Sequence, residues 1–251
     1  MPGMNKPQSR WAVSALVCRM ERRTIEKLSR PSANSLRQDE GTAAPLIPSH
    51  ATISKLQKAA RDCHACPLWK TGTQTVFGEG ARGASVVFVG EQPGNDEDLA
   101  GKPFVGPAGR LLDKALVEAG IDRREVYVTN AVKHFKWEPK GKRRIHKKPS
   151  GREIAACRPW LDAELAVLKP KVLVCLGATA AQALLGKDFR VSRQRGEFVE
   201  SSLAAHVMAT VHPSSILRAR DEETRRTEMK QFVDDLRKVA QIILKLKRTT
   251  K

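Results

Sequence analysis

Four short apolar runs, separated by segments with helical periodicity, constrain the fold of this chain most strongly. Valine is the commonest residue in these runs, which cover residues 84–89, 126–132, 171–176 and 206–211. The clearest helical segments between them are Pro107–Ala119, which starts with proline and is followed by glycine, and Ala178–Leu185. Buried strands that alternate with helices are typical of a parallel sheet covered on both faces. We therefore predict a single α/β domain, built as three α/β/α layers around a mainly parallel four-stranded sheet.

Polar residues and one aromatic residue stand where ligands of such sheets bind, at the carboxyl ends of the strands. Glu91 and Gln92 follow the first run, Asn130 lies in the second, and His212 follows the fourth. The amide of Asn130 can read the edge of a nucleobase, and His212, at a helix start, can donate to a developing anion. Phe104, between glycines, suits stacking on a flat ligand. Each has an ordinary structural explanation, but together they predict one site.

The distribution of charge predicts a polyanion as partner. The chain has a formal net charge of +18, and residues 133–152 alone carry nine Lys or Arg against one Glu. A dense basic loop is typical of contact with a phosphate backbone, although a solvated surface loop is the alternative. Residues 1–50 are also basic and have weak periodicity, so we predict a disordered N-terminal extension at 1–50 and the folded domain at 51–251.

Three further functional classes are not expected. The chain has no apolar stretch of the ~20 residues that a membrane-spanning helix needs. It has no clear secretory signal either, so we expect a cytoplasmic, bacterial-type intracellular protein. Gly78, Gly80 and Gly83 match the GxGxxG pattern but precede a strand, whereas a dinucleotide fingerprint follows one. We therefore expect no nucleotide cofactor.

The cysteines are candidates for a metal centre. Cys63 and Cys66 form a CxxC pair, and Cys157 and Cys175 follow far along the chain. Four thiolates suit a structural zinc ion or an iron–sulfur cluster. Buried small residues or a redox pair are the alternatives, although no strand leads into the CxxC pair. Because zinc sites usually use two close pairs, the split arrangement favours a cluster.

Two motifs resemble those of a known family. Residues 90–109, with GEQPG and GKPFVGPAG, and residues 212–214, HPS, are similar to the first and closing motifs of the iron–sulfur uracil-DNA glycosylases called family 4. The resemblance covers residues 56–236. Within that superfamily, KRRIH at residues 142–146 and Gln92, where family 4 usually has Ala, resemble the UdgX branch, which captures uracil-DNA covalently. Asn95 departs from the expected Asp.

The resemblance implies excision of a flipped-out uracil. Phe104 would stack on the base, Asn130 would read its edge, and His212 would stabilise negative charge on the leaving uracil. The glycosidic bond would break to leave an oxocarbenium-like sugar.

For the UdgX branch, the resemblance implies that His146 attacks deoxyribose C1′ in place of water and leaves a covalent protein–DNA adduct. Glu91 would orient or activate His146, and Gln92 would shape the pocket. Arg144 would hold the basic loop and phosphates. Lys133 would contact DNA or support the loop. On composition alone, His146 could equally be an ordinary loop histidine.

The resemblance also implies a cofactor and a substrate. A structural [4Fe–4S] cluster would be bound by Cys63, Cys66, Cys157 and Cys175, and Cys175 is assigned from its position in the third strand alone. The expected partner is uracil-containing DNA, preferably single-stranded, and the expected state is a monomer. Two other functions stay open at this point: a multiple-turnover glycosylase that uses water, and a non-catalytic iron–sulfur protein that binds nucleic acid.

Overall fold

A six-stranded sheet forms the centre of the computed structural model, which describes residues 41–249. Its strands, in chain order, are β1 (Glu79–Gly80), β2 (Val86–Gly90), β3 (Val126–Asn130), β6 (Val172–Leu176), β7 (Phe198–Val199) and β8 (His206–Thr210). The spatial order is β1-β3-β2-β6-β8-β7, in which the inner four strands are parallel and the two edge strands antiparallel. The predicted α/β class and mainly parallel sheet are confirmed. The count of four strands is wrong, because the edge strands are two residues long and carry no alternating pattern.

Eight α-helices are present in the described residues, and they lie on both faces of the sheet. They are α1 (Ile53–Ala60), α2 (Asn95–Ala100), α3 (Pro107–Ala119), α4 (Gly151–Leu168), α5 (Ala178–Leu185), α6 (Val191–Gln194), α7 (Pro213–Leu217) and α8 (Glu222–Thr249). Leu116 of α3 and Phe232 of α8 are buried on one face. Leu161 of α4 and Ala181 of α5 are buried on the other. A third apolar cluster joins α1 to α4 through Leu56 and Trp160.

Local signals explain where the main helices begin and end. Pro107 occupies the first turn of α3, where a missing N–H has no intrahelical acceptor anyway, and Gly120 ends it in the left-handed conformation. Helix α4 begins with a capping box, in which Ser150 and Glu153 each bind the other's backbone N–H. Helix α2 begins similarly, because the Glu97 carboxylate accepts from the Gly94 N–H at 2.9 Å.

The middle of the basic segment, residues 137–146 of 133–152, is a β-hairpin rather than the predicted loop. Strands β4 (Trp137–Lys140) and β5 (Arg143–His146) pair antiparallel, and Gly141, at φ 58°, makes the turn between them. Trp137 lies opposite His146 at the base of the hairpin. The pairing therefore holds His146 close to the sheet and carries the basic tip outward.

The predicted boundary at residue 50 is too late. Ala43 is fully buried, and its N–H donates to the Ala156 carbonyl of α4 at 2.8 Å. Residues 41–50 therefore belong to the folded body, and the rest of the predicted extension, residues 1–40, lies outside the described residues. Across residues 41–249, no helix is both long enough and apolar enough to span a membrane.

Candidate active site

A cavity opens at the carboxyl ends of the parallel strands. Its volume is about 160 Å³, and five of the residues predicted for the site line it: Gln92, Phe104, Asn130, His146 and His212. Five further residues complete the lining: Gly94, Glu97, Ala108, Ser214 and Arg218. Three separate strand ends and the base of the hairpin therefore contribute to one cavity.

Gly90, at the end of β2, allows the floor of the cavity to form. A Cβ atom there would lie 2.4 Å from Asn130 Oδ1 and 2.8 Å from Phe104 Cζ, which neither neighbour could accommodate. Phe104 itself has φ 57°, a conformation that is rare for an aromatic residue and is found where the surrounding structure enforces it. Its ring lies 6.2 Å from that of His212, with the two planes 29° apart. A flat ligand in this cavity would therefore meet the ring of Phe104 beside the amide of Asn130.

His212 is held as a hydrogen-bond donor. It caps α7, and its Nδ1 accepts the Ser214 backbone N–H at 3.1 Å. An acceptor at Nδ1 requires the ring proton of the neutral form to be on Nε2. Burial, followed by the positive charges of Arg218 and His146, lowers the pKa of His212 to about 4. The ring is therefore neutral near pH 7, with its Nε2 proton available for a ligand.

His146 lies between two side chains of the β2 end. Its Nε2 is 2.9 Å from the Gln92 amide nitrogen and 3.4 Å from Glu91 Oε1. The Gln92 amide also lies 2.9 Å from the Lys147 carbonyl and 3.2 Å from the Lys136 carbonyl, while its oxygen accepts the Lys136 N–H. Gln92 therefore fastens the hairpin to the sheet as well as lining the cavity, a role that the sequence did not indicate.

The pKa of His146 is below its ordinary value. Burial is the largest cause, the Glu91 carboxylate opposes it, and Arg218 adds to it. A neutral imidazole keeps a lone pair on one ring nitrogen, which a nucleophile needs. Glu91 in turn is the nearest group that can compensate a positive charge on the ring.

Arg144 fixes the hairpin to α2. Its guanidinium donates to Asp98 Oδ2 at 2.6 Å and to Asn95 Oδ1 at 2.8 Å, and it lies 5.4 Å from the centre of the Trp137 ring. Asp98 is fully buried and also accepts the Thr73 N–H. These contacts engage the guanidinium with protein groups, and the predicted role of Arg144 in holding the basic segment and phosphates stays a prediction. Asn95, the departure from the family motif, is one of its acceptors.

Lys133 does not lie at the surface, so the first of its two predicted roles, contact with DNA, is wrong, and a supporting role remains as the alternative. It is 1 % exposed, and its Nζ pairs with Glu164 Oε2 at 2.5 Å inside the domain. The same ammonium donates to the Asn130 carbonyl at 2.8 Å. Glu164, at 0 % exposure, also accepts from Tyr127 and Thr129. Lys133 therefore supports the end of β3, where Asn130 faces the cavity.

Three of the four predicted cysteine ligands lie near one another. Cys63 and Cys157 belong to the third apolar cluster, Cys66 packs against it, and the charges of Cys66 and Cys63 both act on Cys157. Two N–H groups point at the sulfurs, from Lys133 to Cys157 and from Trp160 to Cys63, each at 3.2 Å. Such hydrogen bonds are typical of sulfurs that ligate metal. As they stand, no three His, Cys, Asp or Glu side chains within residues 41–249 form a group suited to a single ion.

Cys175 does not join this group, contrary to the prediction. It is fully buried in β6, with Val89 and Leu173, in a cluster that contains none of the other three cysteines. Burial alone raises its pKa to about 12, whereas the pKa of Cys157, also raised to about 12 by burial, responds to its neighbouring thiols and Lys133. The third strand does contain Cys175, but its side chain packs in the core of the sheet.

Other functional candidates were missed from the sequence. Glu97 accepts the Gly106 N–H at 2.7 Å and so ties together the two glycine loops around the cavity. Arg218 lines the cavity, and the Thr179 hydroxyl is bonded to Glu91. The run of acidic residues after Gly94 indicated Glu97. Thr179 follows the carboxyl end of β6, where ligands of such sheets bind. Arg218 carried no signal beyond its position six residues after His212.

Comparison with known proteins identifies the class that this fold and site define. The profile of the Uracil DNA glycosylase superfamily matches residues 77–237. The chain belongs to the uracil DNA glycosylase superfamily.

Relatives of this chain are named as uracil-DNA glycosylases of type 4 and type 5. The chain is 39% identical over 191 residues to a type-4 uracil-DNA glycosylase of Thermotoga maritima, covering 76% of this chain and 94% of that protein. It is 38% identical over 173 residues to a type-4 uracil-DNA glycosylase of Archaeoglobus fulgidus, covering 66% and 83%. A type-5 uracil-DNA glycosylase of Pyrobaculum aerophilum is 29% identical over 175 residues, covering 62% and 71%.

Proposed function

We propose that this protein excises uracil from DNA and remains attached to the product through His146. The observation that carries the excision step is the fixed Nε2–H donor of His212, which faces the cavity beside Phe104 and Asn130. A preorganised neutral donor stabilises the anionic uracil that leaves when the glycosidic bond breaks. Asn130 offers an amide to the edge of the flipped base, and Phe104 its ring to the face.

The covalent step needs a nucleophile in place of water. The C1′–N1 electron pair leaves with uracil, which His212 stabilises, and a neutral ring nitrogen of His146 supplies the pair for the new C–N bond. The ring then carries a positive charge beside Glu91, whose Oε1 is 3.4 Å from His146 Nε2 in the free protein. Loss of the one remaining ring N–H proton to solvent gives a neutral alkylated imidazole. The lowered pKa of His146 supports this role, because the free ring is neutral near pH 7.

The experiment is a denaturing gel of the protein with labelled single-stranded DNA that contains one uracil, alongside thymine DNA. We expect a shifted band with uracil only, which survives heat and detergent. His146→Ser should lose this band and still release uracil, because the bond-breaking side chains remain. His212→Ala should lose both signals, with excision about 10²–10³ slower as for other lost anion donors.

Three results would contradict the covalent proposal. Alkali-sensitive cleavage at uracil with no shifted band would favour the ordinary multiple-turnover glycosylase. A shifted band that is unchanged in His146→Ser would mean that a residue other than His146 attacks the sugar. Neither a band nor released uracil, together with salt-sensitive binding, would instead indicate a nucleic-acid-binding protein.

The exposed side of the hairpin supports DNA as the substrate and suggests where the strand runs. Lys140, Lys142, Arg143 and Lys148 are exposed there, next to the cavity side chain His146. Each phosphate that such side chains neutralise steepens the fall of affinity with salt. We expect single-stranded DNA to be preferred, because an unpaired base enters a cavity without loss of base pairs.

We further propose that Cys63, Cys66 and Cys157 hold an iron–sulfur cluster, and that His134 supplies the fourth ligand in place of Cys175. Lys133, whose N–H donates to Cys157 Sγ at 3.2 Å, directly precedes His134 in the chain, and the His134 ring lies 3.1 Å from the Thr75 hydroxyl. Burial lowers the pKa of His134 to about 4, so the ring is neutral, as metal ligation requires. Uracil excision needs no electron transfer, so the role of a bound cluster would be structural. It would hold the CxxC segment against α4.

Iron and sulfide analysis, with visible absorption, tests the ligand set. Cys157→Ala should lose iron, whereas Cys175→Ala should keep it. His134→Cys should retain a cluster with altered absorption, and His134→Ala should lose it. Iron loss in Cys175→Ala, or stoichiometric zinc in a colourless protein, would overturn the assignment.

A further inference from the structure

Thr179 contacts the acid beside the proposed nucleophile. Its hydroxyl donates to Glu91 Oε2, while the other oxygen of the same carboxylate, Oε1, faces His146 Nε2 at 3.4 Å. Thr179 is 5 % exposed, so water does not replace this bond readily. A carboxylate that accepts a fixed hydrogen bond on one oxygen has its second oxygen aimed in one direction.

The corner between β6 and α5 fixes where the Thr179 hydroxyl lies. Gly177 precedes α5 with φ 88°, in the region that favours glycine, and a Cβ atom there would lie 2.9 Å from His212 Cβ. Thr179 follows in the first turn of α5, whose N-terminal end also favours a carboxylate. The same backbone turn therefore packs against His212 and presents a hydroxyl to Glu91.

We propose that Thr179 is a positioning residue for covalent capture, which acts by holding Glu91 oriented toward His146. The inference rests on the proposed function and deepens it. Thr179 touches neither base nor sugar in this scheme. It keeps the carboxylate where the positive charge of the alkylated imidazole appears, so that little rearrangement is needed when the bond forms.

The test measures single-turnover adduct formation over a range of uracil-DNA concentrations. Thr179→Val keeps the β-branched shape and removes the hydroxyl, and we expect a maximal rate roughly tenfold lower with unchanged half-saturating DNA. Thr179→Ser keeps the hydroxyl and should restore most of the rate. Thr210→Val is the matched control, since its buried hydroxyl donates to Asp235 at 2.6 Å, away from Glu91.

A double-mutant cycle separates positioning from a loss of folding. In a Glu91→Gln background, Thr179→Val should cause little further loss, because the residue acts through that carboxylate. Thermal unfolding of each variant, measured alongside, should show similar stability losses for Thr179→Val and Thr210→Val.

Three results would overturn the inference. The first two are an unchanged rate in Thr179→Val and a Thr179→Ser rate as low as that of Val, and both leave covalent capture intact. The third is additive losses in the Glu91→Gln background, which would indicate a structural role. Failure of the wild-type protein to form any adduct is distinguishable, because it overturns the proposed function itself.

Discussion

The sheet edge and the hairpin hold their side chains in different ways. Asn130 and His212 stand on strand ends or at a helix start, and the strands before them are buried on both faces. His146 stands on a two-stranded hairpin, and the outer side of this hairpin is exposed. Polar contacts of Gln92 and Arg144 attach the hairpin to the rest of the domain. Asn130 and His212, proposed for base recognition and bond breaking, therefore stand at the edge of the buried sheet. The proposed nucleophile belongs to an attached element.

We therefore expect the two proposed steps, excision and capture, to be separable. Changes in the hairpin should affect capture and leave excision largely intact, whereas changes under the sheet edge should affect stability and both reactions.

The largest expected effect lies under the sheet edge. Lys133→Met removes one partner of a buried ion pair and leaves Glu164 charged in the core, which should lower the free energy of unfolding by about 3–5 kcal/mol. The melting temperature should fall by roughly 10 °C, measured by circular dichroism. Lys147→Met removes an exposed pair of the hairpin, 2.8 Å from Glu138, and is the matched control. Its loss of unfolding free energy should stay below about 1 kcal/mol. Equal losses in the two variants would contradict the expected difference between the sheet edge and the hairpin.

An intermediate effect is expected in the hairpin. Arg144→Met removes the link to Asp98 and Asn95, so His146 should be held less closely and adduct formation should slow roughly tenfold. Excision, measured as released uracil in a His146→Ser background, should change little. A parallel loss of excision would mean that the hairpin also shapes the base pocket, and would remove the distinction between the two regions.

The smallest expected effect is a difference in pH dependence. Burial holds the pKa of His146 below its ordinary value, so its ring is neutral near pH 7, and capture should fall as the pH drops into the acid range. Excision depends on neutral His212, whose pKa of about 4 keeps it neutral to lower pH. Rates of both steps from pH 8 down to pH 4.5 should therefore diverge at the acid end, with capture lost first. Identical profiles would contradict separate control.

The sequence predicted the elements whose signals are local. Pro107 and Gly120 bounded α3 correctly, and the valine-rich runs located the four inner strands with their polar ends. The hairpin was missed because its strands face solvent on one side and carry charges instead of an alternating pattern. Gly141 in the basic run was the only turn signal.

Long-range partners could not be predicted. The burial of Lys133 depends on Glu164, 31 residues away, and nothing near either residue indicates the pair. Cys175 was assigned from its strand alone, but alternate residues of a strand face opposite sides. Its side chain shares a face with Leu173, and the sequence does not tell which helix covers that face.

The contacts of Gln92 determine which hydrogen bonds remain if the His146 ring moves. A primary amide nitrogen carries two hydrogens, yet three acceptors surround this one: two carbonyls of the hairpin and the His146 ring. If the His146 ring shifts toward a sugar, as covalent capture would require, both hydrogens still find carbonyl oxygens. Such a shift would leave no buried donor of Gln92 without an acceptor, and Gln92 would still bond the residues that flank the hairpin.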